Sequence, residues 1–214
     1  MKQPAPVTHE LIIESKTHGR FVVLYDAEDE DKVAAHTWSV TKVSKERCDF
    51  YVTSKILHPD GGWYTFPNGY RRRRQANLRL HRLIMGTPKG MQTDHINGKP
   101  LDNRKSNLRI CTNAENGRNR GSMRNNTSGF KGVRYMKKRK DMINERSKPW
   151  QPQIRNNSHY IYLGYFATAE EAAEVYDRKA CELWNIVSPE RMLNFPERYK
   201  EYMSELANFN LKQP

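Results

Sequence analysis

Asp94 and His95 stand side by side at the start of TDHINGKPLDNRKSNLRICTNAENGRNR, residues 93–120. An imidazole near its ordinary pKa of about 6.5 is largely neutral at pH 7 and accepts a proton from water. A carboxylate beside it offers a hard oxygen ligand for a divalent cation. Together a base and a cation meet the two needs of phosphodiester hydrolysis, a nucleophile made from water and stabilisation of charge on the phosphate and leaving oxygen. Adjacent residues on a strand point to opposite faces, so a strand end or a bulge has to bring this pair to a shared site.

The elements that must hold the pair are short. Asn77–Met85 carries leucines and His81 and reads as a strand or short helix running toward Gly86. Within 93–120 an Asn-Gly turn and an Asn/Asp-rich loop separate two β-like pieces, and a helix follows. Thr112 with Glu115 three residues later is a capping box, which places Asn116 in the first turn of that helix. Upstream, Leu11–Ile13, Phe21–Leu24 and Phe50–Val52 alternate with an acidic stretch, Asp26–Asp31, and a short helix ending near Trp38, a small α+β lead-in.

In order, Leu80-His81-Arg82, Asp94-His95, the Asn-rich loop, Asn107-Leu108 and Glu115-Asn116 resemble the HNH homing endonucleases of phages and mobile elements, over residues 77–120. The resemblance implies a ββα-metal nuclease module in which His95 is the general base, Asn107 orients it, and Asp94 with Asn116 ligates the metal. It also implies 3′-hydroxyl and 5′-phosphate ends. Asn107 comes twelve positions after His95, far enough to return on a neighbouring strand and accept the second imidazole N–H. One carboxylate and one amide oxygen suit Mg²⁺, with Mn²⁺ as a substitute, because such hard ions keep several waters. His81 is expected to support the site rather than react. Each residue also has an ordinary reading: a surface pair, a turn cap, a helix-surface amide. Their joint spacing carries the catalytic one.

Beyond Gly121–Ser128, a small and polar stretch read as a linker, Phe130–Tyr135, Trp150–Arg155 and Tyr160–Phe166 form three expected strands. A basic insertion, Lys137–Lys148, lies between the first two. Thr168 and Glu171 cap a helix whose Ala169, Ala172, Ala173, Tyr176, Ala180, Leu183 and Trp184 form one stripe, with Trp150 and Trp184 as packing residues. The segments SGFKGVRY, WQPQIR, IYLGYFATAEEAAEVYDRKA and LNFP are similar to the AP2/ERF DNA-binding domain. This resemblance implies a three-stranded antiparallel sheet packed on one helix, with Lys131, Arg134, Gln153, Arg155 and Tyr162 toward DNA. The family usually has Arg, Glu and Trp where this chain has Lys131, Gln153 and Tyr162, so its target sequence does not transfer.

Charge agrees with a polyanionic partner. The formal net charge is +13 and the pI about 9.7. Residues 71–155 hold 23 Lys and Arg against 5 Asp and Glu, so the excess sits where the motifs are. Within it, Arg71–Arg74 reads equally as a solubility tract or a localisation signal. Mean hydropathy is −0.93, so cores must be small. Three scattered cysteines with no C-x-x-C pair argue against disulfides and structural zinc. They fit a reducing cytoplasm, in a bacterial or phage-infected cell. No apolar run reaches 18 residues, so no membrane partner is expected.

The reading is an α+β chain divided as 1–76 lead-in, 77–120 nuclease, 121–128 linker, 129–196 DNA-reading domain and 197–214 tail. It is expected to act as a monomer on double-stranded DNA, with no small-molecule cofactor, as a site-specific endonuclease. The rivals are a DNA-binding regulator with an inactive HNH remnant and an RNA-binding protein. For the last, neither RNP-like aromatic strands nor a GXXG clamp is present.

Overall fold

Two apolar runs, Leu11–Ile13 and Phe21–Tyr25, form the strands of a hairpin that turns every second side chain inward. In the computed structural model, which describes residues 6–42, 49–121, 125–137, 147–157 and 159–210, β1 (Thr8–Ser15) pairs antiparallel with β2 (Gly19–Asp26). Their register sets Leu11 opposite Val23 and Ile13 opposite Phe21. Those side chains turn inward with Tyr25, while Ile12 and Val22 on the other face stay exposed.

The chain divides into two compact units, 1–116 and 117–214. In the first, β2 is followed by a 3₁₀ turn and α1 (Glu30–Ala34), then β3 (Ser39–Lys42) and β4 (Phe50–Leu57). A ribbon of β5 (Trp63–Thr65) and β6 (Arg71–Arg73) leads into β7 (Gln75–Arg79), which lies against β4 in the sheet order β3-β4-β7. Next come α2 (Leu80–Met85), the hairpin β8 (Gln92–His95) and β9 (Leu108–Cys111), and α3 (Asn113–Arg118). One core holds Ile13, Val23, Trp38 and Val52 from the lead-in together with Leu80, Ile84 and Leu108 from the nuclease segment. The boundary expected at 76/77 therefore falls inside a core. A Leu80→Ala change, at a position with no exposed surface, would cost about 2–5 kcal/mol.

Leu80-His81-Arg82 is explained by three separate contacts. Leu80 is core, His81 points toward the candidate site, and Arg82 donates to the carbonyls of Met91, Thr87 and Pro88, tying down the turn that enters β8. Gly86 ends α2 in the left-handed conformation at φ 56°, which a side chain would strain.

The second unit holds β10 (Val133–Tyr135), β11 (Trp150–Asn156) and β12 (His159–Tyr162) as an antiparallel sheet in that order, with α4 (Ala169–Leu183) packed on β10 and β11. Thr168 caps α4 in a full capping box with Glu171. The stripe from Ala169 to Ala180 is buried. Gly132 sits at φ 71°, and a Cβ there would collide with the Tyr176 ring. After α5 (Pro189–Met192) comes a feature not anticipated in the sequence. In place of a tail, α6 (Tyr199–Asn210) packs on α4 with Tyr202 buried.

Most of the insertion at 137–148 and part of the stretch 121–128 lie outside the described residues. Cys111 and Cys181 are free and buried, while Cys48 is also outside them. Among the described residues no helix is long and apolar enough to cross a membrane.

Candidate active site

His95 is the last residue of β8, opposite Leu108, and Asp94 precedes it opposite Arg109. The loop that follows is closed on itself. Ile96 N donates to Asn107 O at 2.8 Å and Gly98 N to His95 O at 2.9 Å. The Asn107 side chain works on the loop: its Oδ1 accepts from Asn97 N at 2.9 Å and its Nδ2 donates to Asp102 O at 2.8 Å. Asp102 takes a two-pronged bond from Arg104, at 2.8 Å to each oxygen, and one from Asn97 at 3.0 Å. These donors hold its carboxyl below the usual carboxylate range, with Arg104 the largest cause.

The amide that reaches the imidazole is Asn103, whose Oδ1 lies 3.3 Å from His95 Nε2. Asn103 has no exposed surface. Its backbone N–H donates to Leu24 O at 2.7 Å, so the lead-in hairpin fixes where it sits. The orienting bond expected from Asn107 is thus made by its loop neighbour, because Asn107 is spent closing the loop. With Nε2–H as donor to Asn103, the basic lone pair belongs to Nδ1.

Around His95 the walls are aromatic. His81 meets it edge to face at 4.9 Å, and Tyr51 lies 5.3 Å from His81 and 6.4 Å from His95 between ring centroids. Both histidines are buried, at 3% and 6% exposure. Burial is the main cause that lowers both pKa values, His81 to about 3. Both rings are therefore neutral at pH 7, the state in which a base accepts a proton.

One residue earlier on β8, Asp94 Oδ2 accepts from Arg109 Nε at 3.1 Å and Nη2 at 2.9 Å. Arg109 also donates to Glu115 O in α3. Gln92 shares this face of β8, two residues before Asp94, and its Oε1 accepts from Asn116 Nδ2. Gln92 Nε2 in turn donates to Asn113 Oδ1 at 3.1 Å. Glu115 closes the α3 cap with Thr112, accepting from Thr112 N at 2.7 Å. Asp94 and Asn116 are thereby drawn to the same strand face, through Arg109 and Gln92.

The donors fit a hard divalent cation. With Nδ2 turned to Gln92, the Asn116 amide presents Oδ1 as an acceptor, and Asp94 adds a carboxylate whose charge Arg109 balances. A separate acidic group, Asp26, Glu28 and Asp29, is spaced closely enough for a metal, but its carboxylates serve the fold. Asp26 accepts from Lys105 N at 2.7 Å, Lys105 pairs with Glu28 and Asp29, and Lys32 pairs with Asp29 at 2.6 Å. These bonds pin the 3₁₀ turn Lys105–Asn107.

In the second unit, Gln153 faces Tyr162, Arg155 faces Tyr160 and Arg134 faces Gln151 across the sheet. Alternation puts Arg134, Gln153, Arg155 and Tyr162 on the face opposite α4, all exposed. Lys131 departs from that row. Its ammonium turns inward and donates to the carbonyls of Arg118, Arg120 and Arg191. Burial there lowers its pKa to about 8. Carbonyl oxygens, not phosphates, are its partners, and this corrects the DNA contact expected of it. Nearby, fully buried Asp177 accepts from the backbone N–H groups of Asn194 and Phe195 and from the Asn194 amide. Asn194 in turn bonds Lys131 N and O. Asp177 thus pins the LNFP segment, a role that nothing in the local sequence revealed.

Compared with known proteins, residues 79–118 match the HNH endonuclease family. Over 52 residues the chain is 44% identical to protein 3.8 of Escherichia phage T7, a stretch covering 24% of this chain and 43% of that relative. The chain thus spans under half the length of that relative. No solved structure matches the chain. The family match includes His81, Asp94, His95, Asn103, Asn107 and Asn116 and ends before the three-stranded sheet.

Proposed function

We propose that the protein is a DNA endonuclease that hydrolyses phosphodiester bonds with one divalent cation, Mg²⁺ or Mn²⁺. The observation that carries this reading is the buried, neutral His95, held by Asn103 and His81 at the end of β8, with Asp94 and Asn116 gathered on the adjoining strand face. His95 takes the proton of the attacking water at Nδ1, the ring nitrogen that does not face Asn103. Asn103 holds the ring's rotation and tautomer, and the apolar faces of Tyr51 and His81 limit water around it. Asn107 keeps the loop closed so that Asn103 stays aimed. Asp94 and Asn116 would hold the cation, which supplies charge stabilisation for the phosphate and the leaving oxygen. Arg109, bonded to Asp94 Oδ2, fixes how that carboxylate is turned.

The exposed row Arg134, Gln153, Arg155 and Tyr162, in a segment similar to AP2/ERF domains, is proposed to position duplex DNA and make cutting site-specific, as in homing enzymes. An arginine can fork onto guanine in the major groove, and the other residues reach phosphate and base edges.

A plasmid assay with Mg²⁺ or Mn²⁺ tests the enzyme reading: wild type nicks or linearises and His95→Ala does not. One feature favours the alternative, a DNA-binding regulator with an inactive HNH remnant. It is the Arg109 guanidinium already seated on Asp94. Binding with no cutting by either protein would establish that alternative.

A further inference from the structure

The four arginines that the sequence left between solubility tract and localisation signal are part of a built element. β5 and β6 pair as Trp63 with Arg73, Tyr64 with Arg72 and Thr65 with Arg71, and the ribbon is extended by the Phe66 N–H bond to Tyr70 O. It continues the β4–β7 pair, through Leu57 opposite Gln75 and bonds from His58 N to Arg74 O and from Arg74 N to Gly62 O.

The ribbon has two faces, and both are basic and aromatic. On one, Arg71 and Arg73 flank Trp63, their guanidinium carbons 5.4 and 5.7 Å from the ring centroid. On the other, Arg72 lies 5.8 Å from Phe66, and Tyr64 and Tyr70 pack against that ring. Arg71–Arg74 are all exposed and form no ion pair among the described residues. Trp63, Tyr64 and Tyr70 are 53%, 54% and 61% exposed. A tract kept only for solubility has no use for three large exposed rings. Guanidinium groups braced on aromatic faces are the equipment of a nucleic-acid surface.

We propose that this ribbon is a second duplex-DNA contact, separate from the three-stranded sheet, which lies in the major groove and carries the cutting unit's own grip on its substrate. A two-stranded ribbon fits that groove, and both faces then meet phosphates or guanine edges. β7 joins the ribbon directly to α2 and His81, five residues spanning roughly 17 Å at ~3.4 Å each. Contacts should fall within about one helical turn of the cut. That last placement rests on the endonuclease reading, whereas the contact itself does not.

The experiment uses the full chain without divalent metal and a random-sequence duplex of about 40 base pairs, with binding followed by fluorescence anisotropy across a salt series. Arg71→Ala/Arg73→Ala and Arg72→Ala/Arg74→Ala are each expected to weaken binding roughly tenfold or more. Replacing all four should lower the slope of log affinity against log salt by about 3–4, as about 0.9 is lost per phosphate contact. Thermal unfolding monitors folding, and the four Arg→Lys changes provide a second variant. Lysine should keep the slope but lose the protection of guanine N7 from methylation, because it cannot fork. Wild-type affinity and slope in the folded quadruple alanine variant would overturn the proposal, as would tighter binding of a structured RNA that depends on the same arginines. If the arginine dependence holds but no cutting occurs with metal, the ribbon stands and the nuclease reading fails.

Discussion

In the first unit the polar side chains of the site are buried or half-buried and already bonded: His95 to Asn103, Asn107 to the loop backbone, Asp94 to Arg109 and Asn116 to Gln92. In the second unit the row of interest, Arg134, Gln153, Arg155 and Tyr162, stands on an open sheet face, with Tyr162 64% exposed. Its inward-turned polar groups, buried Asp177 and half-buried Asn194 and Lys131, brace the fold instead. The contrast follows from the tasks proposed for the two regions. A base and its orienting amide act only from fixed positions, and their desolvation is offset by hydrogen bonds made in advance. Groups that meet a duplex must remain in water until it arrives, and they adapt to it at low cost.

Substitutions can break this contrast, and the largest effect belongs to the base. His95→Ala should lower single-turnover cleavage by about 10²–10⁴-fold, the usual worth of general base catalysis, with duplex affinity unchanged. A variant that lost binding in parallel would make His95 a structural or contact residue.

Gly132→Ala should be felt in the second unit alone. A left-handed backbone and a collision with the Tyr176 ring together should cost about 3 kcal/mol, read as earlier unfolding in urea. An unshifted transition would mean that the packing of β10 on α4 is not as described.

Asn103→Ala should slow cleavage roughly tenfold with KM unchanged, since a misoriented imidazole affects the chemical step more than binding. Asn103→Gln should not rescue it, whereas Asn107→Ala should also lower thermal stability by opening the loop. Equal loss of stability in both variants would reduce Asn103 to a loop brace.

The smallest effect compares two cations that look alike in sequence. Arg155→Ala should weaken duplex binding by about 1–2 kcal/mol and lower the salt slope by about 1. Lys131→Met should leave that slope unchanged and destabilise the second unit, since three carbonyls lose their donor. If the two variants exchanged phenotypes, the inward placement of Lys131 would be refuted.

Local signals carried much of the fold. The capping boxes at Thr112 and Thr168 are both made, β8, β9 and β10 to β12 lie in or overlap the segments read as strands, and the helix stripe from Ala169 to Ala180 is buried. Long-range contacts were harder to read. Six asparagines lie between 97 and 119, and which of them reaches His95 depends on Leu24 and Asp26 gripping a loop about eighty residues later in the chain. Lys131 looks like a phosphate contact until the Arg191 carbonyl, 60 residues on, is brought beneath it. Residues 197–214 resemble a tail because, among the described residues, only Tyr202 is deeply buried there, while much of the helix face stays polar.

The central claim is that Asp94 and Asn116 serve one cation beside His95. It is tested most directly by single-turnover cleavage of supercoiled plasmid over a Mg²⁺ titration. The account expects no cleavage with chelator, none with Asp94→Ala, and a higher Mg²⁺ requirement with Asn116→Ala. His95→Ala should be slow at every Mg²⁺ concentration. Chelator-insensitive cutting, or an Asp94→Ala protein that cuts on the wild-type curve, would contradict it.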